Sequence, residues 1–210
     1  MNAGPVQIEI LVEEPSAEAT LQNLMPHIVG ERNALWSIHP FFGRERLLTK
    51  LPSLLRVYKR RIAYEDLRIA VLIDKDRTDC HKLKENLERM VLEAGLRSKS
   101  APDAEGAFHV VNRIAIEELE AWFFGDIGAL KAAYSNIPQN LDRKAAFRDP
   151  DRISGGTWEA LHRILKKAGH FGDHFPKVEV ARAVSAHMDP SRNRSHSFNV
   201  FVRGIEALIA

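Results

Sequence analysis

A single cysteine, Cys80, leaves nothing to pair with inside the chain, which excludes a disulfide-stapled secreted scaffold. A lone thiol beside His81 is more often incidental than a nucleophile, and no role is assigned to it. Long apolar runs are missing too: the stretch from Ile8 to Val12 is strand-sized and interrupted by Glu9, and no membrane span is predicted. Residues Met1 to Val6 carry no basic segment leading into an apolar run, so no export signal is expected and the composition reads as cytoplasmic. Charge of one sign is not in excess either. Thirty Lys and Arg against 28 Asp and Glu give a net charge of +2, so any basic surface for nucleic acid must come from local clustering. Internal repeats, heptads and low-complexity tracts are absent, which excludes a solenoid or coiled coil.

What is present is an ordinary globular composition, 45% hydrophobic and 28% charged, over 210 residues, enough for one well-buried core with an appendage. Val6 to Glu13 reads as a strand, and Pro15 and Ser16 open a helix with Leu21, Leu24 and Met25 on one face. Leu35 to Phe42 predicts a second strand, followed by a helix through Leu47, Leu51 and Leu55 that Pro52 is expected to kink or split. Arg68 to Ile73 is a short apolar run suited to a strand buried on both faces, and Asp74 stops it. Leu83, Leu87 and Val91 then recur at helical spacing before a fourth strand at Ala107 to Val111. Ile116 to Phe124 reads as a helix carrying Glu117 and Glu120 one turn apart. Such alternation implies right-handed crossovers and a mainly parallel four-stranded α/β sheet flanked by helices, with ligands gathering at the strands' carboxyl ends. Beyond Gly125 only helical patterns follow, so residues 1–126 are expected to form the α/β domain and 127–210 a helical region packed on it.

Glu13 and Asp74 each end a predicted parallel strand, and Asp76 follows two residues later, with Cα atoms roughly 6.5 Å apart if the chain stays extended. Mg²⁺ prefers octahedral oxygen ligands and usually takes a few carboxylates while keeping places for water and phosphate. The bland alternative is that Asp74 and Asp76 merely cap the next helix. A second rival is the haloacid-dehalogenase phosphatase pattern, which Asp74-Lys75-Asp76-Arg77-Thr78 fits as D-x-D-x-T, with Asp74 as nucleophile. That motif ordinarily ends the first strand of its domain, whereas two strand-helix units precede it here. A calcium loop beginning at Asp74 fails because Asp79 stands where that loop needs glycine.

Leu11-Val12-Glu13-Glu14-Pro15-Ser16 followed by Val71-Leu72-Ile73-Asp74-Lys75-Asp76 resembles the glutamate and D-x-D motifs of TOPRIM domains, found in topoisomerases, primases and overcoming-lysogenization-defect nucleases. With Glu117-Glu118-Leu119-Glu120-Ala121-Trp122, Pro176-Lys177 and Ser195-His196-Ser197-Phe198, the sequence resembles a TOPRIM-related bacterial family, domain-of-unknown-function family 4276. The resemblance implies a motif glutamate at Glu13, metal-binding Asp74 and Asp76, and a further acidic residue at Glu120 or else Glu117. It also implies an ATPase encoded nearby and a role in phage defence. In TOPRIM domains glycine typically follows the glutamate; here Glu14 does, so either Glu14 replaces Glu13 or the turn differs.

The expected chemistry is phosphodiester hydrolysis assisted by one or two Mg²⁺ or Mn²⁺ ions at Glu13, Asp74, Asp76 and Glu120, with Lys177 a candidate to stabilise the phosphate charge. The substrate would be DNA or RNA, and a homo-oligomer stays open. The alternative is a module that binds metal or nucleic acid without turnover. Arg56, Lys59, Arg60 and Arg61 form the densest basic cluster, more simply read as a solvated helix end. Ser195 and Ser197, beside Arg192 and Arg194, could grip phosphate, although Ser197 as a helix cap is the simpler expectation. His170, Asp173 and His174 lack the companions a zinc site needs.

Overall fold

The computed structural model describes residues 4–76 and 78–210. Met1 to Ala3, and with them the start of the segment read for an export signal, lie outside the described residues, as does Arg77 of the phosphatase pattern. Four strands, β1 (Val6–Val12), β2 (Ala34–Pro40), β3 (Leu67–Asp74) and β4 (Val110–Ala115), form one parallel sheet in the order β2-β1-β3-β4. The helices α1 (Pro15–Val29), α2 (Arg44–Ile62) and α3 (Cys80–Glu93) make the crossovers. The chain starts in the middle, steps to one side for β2, then returns past β1 to β3. The gap between the ends of β1 and β3 is therefore the point where the crossovers diverge, the usual place for a ligand in such sheets.

The two faces of β1 and β3 read differently because side chains alternate along a strand. Ile8, Ile10, Val12, Ala70 and Leu72 face α1 and the C-terminal helices, while Leu11, Ile69, Val71 and Ile73 face α2 and α3. Both faces are covered, which is why these strands are continuous apolar runs. The C-terminal elements α4 (Glu120–Gly125), α5 (Ile127–Ala133), α6 (Thr157–Lys167), α7 (Lys177–Ser185) and α8 (His196–Leu208) join the α1 side, α7 against α1 and α8 against β4. Three short 3-10 turns between 141 and 152 link α5 to α6.

The fourth strand lies later than Ala107 to Val111. Asp103 accepts from the amides of Glu105 and Ala107 and folds that stretch into a turn. The polar Asn112 and Arg113 that hide the strand from a hydrophobicity pattern are buried with partners of their own. The following helix starts at Glu120 rather than Ile116, so Glu117 and Glu120 do not share a helical turn. Pro52 does not split α2, which runs unbroken from Arg44 to Ile62. Ser195, not Ser197, caps α8, accepting from the Phe198 amide at 3.1 Å.

Trp122 lies at the centre of the α1-side core, fully buried against Phe198 and Phe201 at 5.2 Å between ring centroids, with its Nε1 donating to Ser197 Oγ at 3.1 Å. Ser197 Oγ and Ser195 Oγ both donate to Asp151 Oδ1, at 2.8 and 2.9 Å. Removing the indole opens a cavity and takes one donor from Ser197, which keeps its bond to Asp151. Trp122→Ala is expected to lower stability by about 3 to 5 kcal/mol, read as a fall in the urea midpoint at unchanged denaturant slope.

Candidate active site

Glu13 follows the last residue of β1 and is only 9% exposed. The register that pairs Val12 with Leu72 sets it beside the end of β3, where its Oε2 accepts from the Asp74 amide at 3.3 Å. Burial raises the Glu13 pKa, partly offset by Arg44, whose Nε lies 3.7 Å away. Glu14 occupies the N-cap position of α1 in an extended conformation, φ −127° and ψ 157°, which any residue can adopt, so no glycine is required there. The two glutamates thus take different places: Glu13 turns into the sheet end, and Glu14 faces Lys177, 3.9 Å away.

Asp74 ends β3. Burial raises its pKa well above the ordinary carboxylate range, and the charges of Glu120, Glu13, Asp76 and Glu14 push the same way. Glu120, the first residue of α4, is 3% exposed, and burial lifts its pKa to about 7 against the pull of Lys177. Glu13, Glu14, Asp74, Asp76 and Glu120 therefore share one region of strong mutual repulsion. Asp76 has turned outward: it is exposed and its φ of 46° is left-handed. Its amide donates to the Glu117 carbonyl at 2.7 Å, and Glu117 is left-handed as well, with φ 63°. Two non-glycine residues in that region at adjoining strand ends store roughly 1 to 3 kcal/mol each, a strain that clusters at ligand sites. Neither Asp74 nor Asp76 caps α3; Asp79 does, accepting from the amides of His81 and Lys82.

Two cations answer these carboxylates. Lys177, the first residue of α7, is carried in by the packing of α7 on α1. Burial would lower its pKa, but Glu120, Glu14, Glu118 and Asp74 raise it on balance, and its Nζ sits 5.4 Å from the centre of the Trp158 ring. Arg44, which the sequence reading missed, stands at the start of α2. It donates through Nη2 to the Asp74 carbonyl and to Asp76 Oδ2, the latter at 2.9 Å, and through Nη1 to Thr78 Oγ1 at 2.7 Å, while its buried Nε has no hydrogen-bond acceptor among the described residues. Its only signal was position, one residue past Gly43 after a strand.

A cleft of about 650 Å³ opens against this cluster, walled by Arg44, Asp76, Glu117, Glu118 and Trp158. Glu117 is tied to Lys75 at 2.7 Å. Glu118 accepts from the Thr157 amide, the Thr157 hydroxyl and the Trp158 amide, at 2.8 to 3.0 Å, and so fastens the start of α6 to the end of the sheet. That task is invisible in Glu117-Glu118-Leu119-Glu120, and of the three glutamates Glu120 alone is buried.

Other candidates fall elsewhere. Arg56, Lys59, Arg60 and Arg61 lie at the far end of α2 from Arg44, and Arg61 is engaged with Glu9 and Glu65. The Ser195 and Ser197 hydroxyls are committed to Asp151. His170 Nε2 bonds the Ser135 carbonyl at 3.0 Å, and Asp173 pairs with Lys166.

As placed, no three His, Cys, Asp or Glu side chains among the described residues converge closely enough to hold an ion. The donor chemistry nevertheless suits a hard divalent cation: five carboxylates within mutual repulsion, three of them destabilised by burial, against two cations.

Because the Glu120 pKa is raised from 4.5 to about 7, the native state holds its proton more tightly than the unfolded state. Its contribution is therefore full below pH 4.5 and is lost as pH rises through 7. In chelator, Glu120→Gln is expected to gain stability relative to the parent over that window and to hold the gain above it, measured by urea unfolding at several pH values.

The family described as a domain of unknown function (DUF4276) matches residues 12–206, and the chain belongs to it. No curated protein and no solved structure matches the chain.

Proposed function

We propose that this member of the family is a TOPRIM-like, divalent-cation-dependent phosphodiesterase that cuts nucleic acid. The observation carrying this reading is the gathering of Glu13, Asp74, Asp76 and Glu120 at the divergence point of a parallel sheet, with Lys177 brought in from a distant helix. Carboxylates that Arg44 and Lys177 only partly balance repel one another there, and a divalent cation relieves that repulsion. Glu13, Asp74 and Glu120, joined by Asp76 once it leaves Arg44, would hold Mg²⁺ or Mn²⁺. Bound there, such an ion supplies a water of lowered pKa and neutralises developing charge on phosphate oxygens.

The chain's own residues do the rest. Lys177, behind the Trp158 ring that walls the cleft, sets a positive charge near carboxylates that would otherwise repel an anionic phosphate. Arg44 holds the ends of β1 and β3 together and, once Asp76 leaves it, offers a guanidinium to a phosphate oxygen. If Glu13 serves as general acid or base instead of metal ligand, burial, which raises its pKa, suits its Oε2 to keep or pass a proton. Trp158 and its stacked lysine shield one side of the cleft from water.

A second reading, a metal- or nucleic-acid-binding regulatory module without turnover, is favoured by one observation: Arg44 and Lys177 already answer part of the carboxylate charge. A phosphatase using Asp74 as nucleophile is disfavoured because two strand-helix units precede β3, whereas that motif ordinarily ends the first strand of its domain, and beryllofluoride trapping at Asp74 would reveal it. An ATPase partner and a place in phage defence belong to the same proposal and rest on the family resemblance alone.

Purified protein incubated with labelled single-stranded DNA, duplex DNA and transfer RNA is expected to cleave at least one of them with Mg²⁺ or Mn²⁺ and none in EDTA. Asp74→Asn is expected to lower the rate by at least about a hundredfold, the scale typical of losing a group that acts directly on the reacting centre. Metal-dependent binding without cleavage would favour the regulatory reading, and cleavage surviving the substitution would remove the metal mechanism. Lys177→Met should reduce kcat more than KM if its charge acts in the transition state.

A further inference from the structure

Arg113 lies on β4, the last strand of the sheet, beyond which only the bridge of Ser98 with Val110 pairs among the described residues. It is 9% exposed, yet no carboxylate among the described residues comes within ion-pair distance. A buried guanidinium normally has one, since taking the charge out of water costs several kcal/mol (roughly) without it. Of its five N–H groups, Nε donates to the Val200 carbonyl at 3.1 Å and Nη1 to the Asn112 carbonyl at 2.8 Å. The other three have no protein acceptor among the described residues.

The space beside it is a groove of about 270 Å³ crossing the sheet edge between α3 and α8, with Lys84, Ser100, Asn112, Arg113 and His196 in its walls. Lys84 also donates to the Asn112 carbonyl and is paired with Glu88, which in turn accepts from Asn112 and Ser98. Lys99 and Arg203 stand close enough to Arg113 to add their charge. Burial lowers the pKa of Lys84, Lys99 and Arg113 alike, and their mutual repulsion adds to it. Guarding an edge strand against another strand needs one lysine on a carbonyl; it does not need an arginine with three idle donors. Ile116 lines this groove while the next two residues, Glu117 and Glu118, line the acidic cleft, so the two sites adjoin across a single chain crossing.

We infer that the β4-edge groove is a phosphate-binding subsite, with Arg113 as the main ligand and Lys84 and His196 beside it, gripping a backbone phosphate of the strand that enters the cleft. This rests on the nucleic-acid reading above for the identity of the strand. A phosphate there accepts from a planar guanidinium fork and supplies Arg113 with the ion-pair partner that Glu88, bonded to Lys84, does not.

The test uses Ser100→Glu, which adds a carboxylate at an exposed rim position and leaves the interior cations and all proposed metal ligands in place. A fluorescein-labelled single-stranded oligonucleotide is titrated in EDTA, so that binding is read without turnover. Ser100→Glu is expected to weaken binding at least tenfold and to reduce the slope of log K against log salt by about 0.7, the share of one phosphate contact on a single strand. Inorganic phosphate and pyrophosphate, titrated against ¹⁵N-labelled protein, are expected to shift the Arg113 Nε signal and the Ser100 and His196 amides in the parent and not in the variant. Equal oligonucleotide affinity and salt slope in parent and variant would overturn the inference, even if cleavage is intact. Binding that Ser100→Glu weakens, with no cleavage under any metal, would leave the subsite standing and remove the nuclease reading. Phosphate shifts at Arg113 without any oligonucleotide binding would show a site for free phosphate and overturn the backbone assignment.

Discussion

Negative charge concentrated at the ends of parallel strands is the constraint around which the molecule is arranged. β1 and β3 must lie side by side for the sheet to bury both faces, and that pairing forces Glu13 and Asp74 together whatever their charges. Glu120 is then added from the start of α4, where it is 3% exposed. Apolar burial supplies the free energy that holds these carboxylates in place, since they repel one another. Arg44 and Lys177 are the two cations that make the arrangement tolerable.

Several otherwise odd features follow from this constraint. Asp76 and Glu117 accept left-handed backbone so that two loops can bond to each other over the end of the sheet, through the Asp76 amide and the Glu117 carbonyl. Glu118 anchors the N-terminus of α6 with three hydrogen bonds and thereby fixes Trp158 at the cleft wall. The C-terminal helices are thus more than an appendage on the α/β layer: α6 supplies a wall of the site and α7 its lysine, while α8 packs against the open edge strand.

At that edge the charge balance is inverted. Arg113 crosses toward α8 over Gly204, where any Cβ would come within 2.5 Å of the guanidinium, so the glycine makes room for the arginine. An acidic cleft and a cationic groove on either side of one loop form an arrangement suited to a polyanion held near a site that handles one of its phosphates.

The alternation of strands and helices, and the apolar runs ending at Glu13 and Asp74, were legible in the sequence because a strand buried on both faces has a local signature. The helices from α5 onward were legible for the same reason, since their period is a property of a dozen neighbouring residues. What the sequence could not decide is everything that depends on which distant groups meet. β4 hid because its polar residues Asn112 and Arg113 are buried, donating to Glu88 and to a carbonyl of α8. Glu13 and Glu14 looked interchangeable until strand pairing turned one inward and left the other at a helix start, and Glu117, Glu118 and Glu120 separated only once Lys75 and Thr157 had taken the first two and burial beside Lys177 the third. Residue types and periods are written locally, but burial and counter-charge are set by tertiary contacts, and here these decide which carboxylates stand together and which cations face them.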